Sequence, residues 1–135
     1  MKLSKHFELY EFIQSLKANE LGISNFPPEA AQQALKNLCE ELLQPLREAL
    51  GKPITINSGY RCERLNRAIN GSKTSQHMKG EAADCTINGK AEDLLQLLLN
   101  LELDFDQAIL YPSQNFLHLS LKKGDNNRKQ IIRYK

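Results

Sequence analysis

The sequence predicts an α+β fold, an antiparallel β-sheet with helices packed mainly on one face. Two observations carry this. Apolar residues recur at helical spacing through most of the first half, and short alternating or apolar runs gather in the second. Helices mainly first and strands mainly later is the element order of that class. With 135 residues, 41% hydrophobic and 25% charged, the chain reads as one domain, 1–135, able to bury a core without disulfide or metal staples.

Taken in order, Phe7, Leu9, Phe12, Ile13, Leu16 and Leu21 predict a helix over 7–21, capped by Ser4 and ended by Gly22. Asn25 to Pro28 is a turn and a helix start, since proline is tolerated where its missing amide proton has no partner. From Glu29 to Leu50 one apolar stripe predicts a long helix, bent at Pro45. Ile54 to Ser58 alternates as a half-buried strand, followed by a Gly59-Tyr60 turn and a short helix over 61–69. In the Asn70-Gly71-Ser72 loop the glycine is expected to supply the positive backbone angle. Ala82 to Ile87 is a strand, Asn88-Gly89 a turn, and 91–100 a leucine-rich helix that should pack on a sheet. Three further strands are predicted at 106–111, 116–121 and 130–134.

Composition excludes several classes. Lysine and arginine number 18 against 16 acids, without the dense basic stripe of a nucleic-acid binder. No run approaches the roughly 18 apolar residues of a membrane span. His6, Glu8 and Glu11 interrupt the basic N-terminal start, so no secretory signal is read and the protein is expected to be cytoplasmic as synthesised. Cys39, Cys62 and Cys85 form no C-x-x-C pair and are expected to be reduced thiols.

The chemistry gathers in Ser75 to Asp84, SQHMKGEAAD, and in Phe116 to Leu121, FLHLSL. Side chains alternate across a strand, so His118 opposes the Leu117, Leu119 and Leu121 face, and Asp84 opposes Ala83 and Cys85. If the two strands are neighbours, both project into one groove. His77 would join them from the preceding loop, with Gly80 letting the backbone turn close by. Two imidazoles and a carboxylate suffice to hold a zinc ion with a fourth position open. Taken singly, each residue has a plainer role: a hydrogen-bonded strand histidine, or an aspartate orienting a loop. His6 has no such company and reads as a surface residue.

SGYRCERLN (58–66), SQHMKGEAAD (75–84) and HLS (118–120) together resemble the zinc D-alanyl-D-alanine carboxypeptidase family. That family includes the vancomycin-resistance dipeptidases and phage endolysins, and its fold is shared with the hedgehog signalling domain. Its S-x-H-x-x-G-x-A-x-D signature is matched at Ser75, His77, Gly80, Ala82 and Asp84. The resemblance covers about residues 54 to 121 and implies Zn2+ held by His77, Asp84 and His118. Arg61 would stabilise the substrate carbonyl, and Ser75 would help hold the substrate or the site backbone. Apart from the resemblance, Tyr60 and Phe116 are candidates to line a substrate groove and contact the substrate, although aromatics beside a strand more often serve packing. The implied function is a peptidase cutting peptidoglycan stem peptides, as carboxypeptidase or endolysin-type endopeptidase. It would be a monomer without nucleic-acid or membrane partners, reaching the cell wall only when released, as a phage or prophage endolysin is.

One departure stands out. Relatives carry an acid shortly before the last histidine, where this chain has Asn115. An amide cannot shuttle a proton, so Asp106, Asp104, Glu81 or Tyr111 would have to serve, or turnover has been lost. The alternatives are a zinc-bearing recognition or phage structural module, and a scaffold without metal. The basic group Arg128, Lys129, Arg133 and Lys135 reads as a guarded strand edge.

Overall fold

A computed structural model describes residues 1–135. The chain opens with a small hairpin, β1 (Lys2–Ser4) and β2 (Phe7–Glu8), followed by helices α1 (Leu9–Ile13) and α2 (Leu16–Leu21). The single helix predicted over 7–21 is therefore three elements. Apolar spacing carried no sign of the break, which lies in the caps. The Glu11 carboxylate accepts the Glu8 N–H at 2.7 Å to start α1, and Gln14 turns extended to end it. Ser15 Oγ then accepts the Ala18 N–H at 3.1 Å to start α2, so Ser15 is a cap while Ser4 lies in β1. Gly22 closes α2 in the left-handed conformation, as its position predicts.

The long helical stretch is α3 (Glu29–Leu38), a π-helical turn (Cys39–Leu43) and α4 (Gln44–Leu50). The expected disturbance at Pro45 takes this form: the Gln44 N–H donates to the Cys39 carbonyl. The wide turn falls just before the residue that has no amide proton to offer and whose ring would crowd the preceding turn. Gln44 is nearly buried and clamps the hairpin. Its Oε1 accepts from Ser4 Oγ at 2.8 Å and from the His6 N–H at 2.9 Å, and its Nε2 meets His6 Nδ1 at 2.7 Å.

Then follow β3 (Ile54–Ser58), α5 (Glu63–Ala68), a 3-10 turn (Gln76–Lys79), β4 (Ala82–Ile87), α6 (Ala91–Leu101), β5 (Gln107–Tyr111), β6 (Phe116–Ser120) and β7 (Gln130–Arg133). The five longer strands form one sheet in the order β3-β4-β6-β5-β7, with every neighbour antiparallel except the parallel β5/β7 pair. The α+β reading holds. One sheet face, with Ala83, Cys85, Leu117 and Leu119 fully buried, packs against α6. Leu94, Leu95 and Leu98 of that helix join Leu42, Leu43 and Leu46 in a single core. The opposite face stays half-open.

In the 70–72 loop the positive angle belongs to Asn70 (φ 59°), not to Gly71. Gly71 is required for space instead, because a Cβ there would lie 2.0 Å from Asn66 Oδ1. Cys39 and Cys85 are buried free thiols, and Cys62 Sγ caps α5 by accepting the Leu65 N–H. No helix is long and apolar enough to cross a membrane.

Candidate metal centre

Asp84 and His118 face each other directly across the antiparallel β4/β6 pair, on the half-open side of the sheet. His118 Nδ1 lies 2.8 Å from Asp84 Oδ1. His77 arrives from the 3-10 turn, with its Nε2 3.4 Å from the same oxygen and its ring edge-on to that of His118. One donor atom from each of the three residues lies within 4.8 Å of the others. The three segments that supply them are distant in sequence, and the fold brings them to one point.

Local structure fixes each side chain. Ser75 Oγ accepts the His77 N–H at 3.2 Å and starts the 3-10 turn. Gly80 ends that turn at φ 75°, where a Cβ would lie 2.4 Å from the Ala31 carbonyl oxygen. Close packing against α3, rather than approach to the cluster, is what demands glycine there. His77 is 3% exposed, and its Nδ1 stands 2.6 Å from the Gly59 carbonyl oxygen. A carbonyl only accepts, so Nδ1 donates to it and Nε2 is the nitrogen turned to the cluster, whose lone pair a bound metal would take, the outer support found behind most metal-binding histidines. Burial alone would raise the Asp84 carboxyl, but hydrogen bonds and charge from His118 and His77 outweigh it and hold the group well below the usual range. An ionised carboxylate oxygen with two imidazole nitrogens is a donor set that suits a borderline divalent ion such as zinc, so these residues fit a metal.

The triad opens into a cavity of about 450 Å³ lined also by Arg61, Ser75, Gln76, Tyr111, Phe116 and Arg128. Arg61 Nη2 donates to Ser75 Oγ at 3.2 Å, and its Nε–H is buried without a protein partner. Gln76 Oε1 is likewise unpartnered. Burial depresses the Arg61 guanidinium, opposed by the nearby Asp84 charge. Tyr60 is 7% exposed and lines the neighbouring groove beside Arg61 rather than this cavity. Phe116 stacks on Tyr111 at a ring separation of 4.4 Å. Burial, then the nearby Tyr134 and Asp84, push the Tyr111 phenol upward, away from the range of a base at neutral pH.

Asp84 is the one carboxylate among the residues lining the cavity. Asp106 is fully buried and bonded to Arg128 and Gln76, Asp104 accepts from Asn127, and Glu81 accepts from the same Gln76 Nε2 that donates to Asp106. Asn115 serves a turn: its Oδ1 accepts the Ala91 N–H that begins α6, and its Nδ2 donates to the Gly89 carbonyl. Arg128 is a lining residue that the linear pattern did not single out. The only signal was a basic cluster, which does not distinguish an edge from a cavity wall.

Comparison with known proteins gives two findings. A family model described as Peptidase M15 matches residues 5–120. A zinc D-Ala-D-Ala carboxypeptidase of Streptomyces albus G is 49% identical over 43 residues, a stretch that is 31% of this chain and 17% of that protein.

Proposed function

Since the chain belongs to the Peptidase M15 family, we propose that it is a zinc-dependent peptidase acting on peptidoglycan stem peptides. The observation that carries the reading is the meeting of His77 Nε2, Asp84 Oδ1 and His118 Nδ1 within 4.8 Å, from a turn and two neighbouring strands. When bound, zinc supplies Lewis acidity toward water and a peptide carbonyl. The chain's own residues supply position and charge. Gly59 holds the His77 tautomer through Nδ1. Ser75 Oγ spans the His77 amide and the Arg61 guanidinium, which links the ligand turn to the cationic group. Arg61, always charged and partly desolvated, would stabilise negative charge developing on the substrate carbonyl oxygen.

A second reading has one observation in its favour. With Asp84 as the one carboxylate on the cavity wall, no side chain stands ready to move a proton from water to the leaving amine. A domain that retains zinc and binds cell-wall peptides with little turnover would have this lining.

The test is incubation of the zinc-loaded protein with purified cell wall, measuring new amino groups. Release by the native protein, lost together with stoichiometric zinc in His118→Ala, supports the peptidase. Binding without release supports the recognition module.

A further inference from the structure

Arg128 is held in an unusual way for a half-exposed cation. Its Nε and Nη2 donate to the two oxygens of Asp106 at 3.1 and 2.7 Å, and its backbone N–H donates to Oδ1 at 2.9 Å. Asp106 itself is fully buried, accepts from Gln76 Nε2 at 3.0 Å and has Lys122 Nζ 3.5 Å away. Three segments therefore converge on one carboxylate. The guanidinium is fixed by one edge, while Nη1 has no protein partner and about half of the side chain is open to solvent.

The place it occupies is informative. Ile109 faces His118 across the β5/β6 pair, and Gln107 continues that face toward the end of the sheet where Asp106 anchors Arg128. Ile109, His118, Gln107 and Arg128 line the cavity of the triad, with Asp106 buried behind them. Its walls carry Arg61 and Arg128 against Asp84 alone, and Asp84 is already engaged by two imidazoles. Such a cavity selects an anion, and a planar fork of donors matches a carboxylate best.

We propose that Arg128 is the seat of the free α-carboxylate of the substrate's last residue, making this site one that removes a C-terminal residue rather than cutting within a chain. The proposal rests on the peptidase reading and divides the two cations: Arg61 for the carbonyl, Arg128 for the terminus. A structural role for Arg128, merely offsetting Asp106, predicts no dependence on the substrate's end group.

The experiment compares an acylated D-Ala-D-Ala peptide ending in a free carboxylate with the same peptide ending in an amide, using the zinc-loaded full chain. The native protein should favour the carboxylate in kcat/KM by roughly 10- to 100-fold, the scale of a charge-assisted hydrogen bond. Arg128→Gln should erase that preference by raising KM far more for the carboxylate peptide than for the amide peptide, and Arg128→Lys should keep part of it. Equal cleavage of both peptides by the native protein, or undiminished preference in Arg128→Gln, overturns the assignment. If neither peptide is cut, the peptidase reading fails, and calorimetric binding of the two peptides decides Arg128 separately. Tighter binding of the carboxylate form that is lost in Arg128→Gln sustains the seat, and equal affinity removes it.

Discussion

Asp106 has no solvent exposure, and its charge is met by Arg128, Lys122 and Gln76. The Arg128 hydrogen bonds and charge outweigh the opposing effect of burial and hold the carboxyl well below its ordinary value near 3.8. A depressed folded-state pKa adds stability that is present above the unfolded value and lost as pH falls toward the folded one. Asp106→Asn should therefore lower the melting temperature at pH 7 by a few degrees, with the gap to the native protein narrowing toward pH 3. A gap independent of pH in thermal melts would show that the ionised form contributes nothing. The linear chain offered Asp106 only as a candidate base, because its partner stands 22 residues away with no pattern joining them. His77, Asp84 and His118 were legible for the opposite reason: their spacing forms a motif, and strand alternation aims the last two. Tyr60 and Arg61 are adjacent in sequence yet differ in setting. Tyr60 turns into the neighbouring groove while Arg61 lines both cavities, a distinction set by packing alone.

At the scale of elements, periodicity located all five strands of the main sheet to within about a residue, and it failed in the first twenty residues. A two-residue strand and a five-residue helix are too short for either period to register, so caps decide them. The tie between that region and the body of the protein is also non-local. Gln44, at the junction of the π-helical turn and α4, satisfies Ser4 and His6. Gln44→Ala would leave the His6 N–H without its acceptor and should cost about 1 to 3 kcal/mol in urea denaturation. Protease sensitivity should rise first at the β1/β2 hairpin. Unchanged stability would mean that the clamp is dispensable.

At the scale of the molecule, the proposed ligands come from a turn and two sheet strands, so an ion bound there ties together parts that separate on unfolding. Anything that binds only the folded state raises its stability, by about 2.7 kcal/mol when the free ion is at 100 times its Kd. Zinc should raise the melting temperature by several degrees, a chelator should reverse the shift, and His77→Ala should lose the zinc-dependent increment. A melting temperature indifferent to zinc counts against the site. Overall class was readable because element order and apolar pattern agree. The parallel placing of β7 beside β5 was not, since it depends on how the 121–129 segment crosses the end of the sheet.

The direct facing of Asp84 and His118 imposes a rule of parity on this chain. Adding or deleting one residue inside β4 or β6 would rotate a donor into the leucine layer and expose an apolar neighbour in its place. Length changes in connections outside these strands, such as 102–104, leave the alternation of both strands intact. A library of single-residue insertions scored for zinc retention should map that boundary residue by residue.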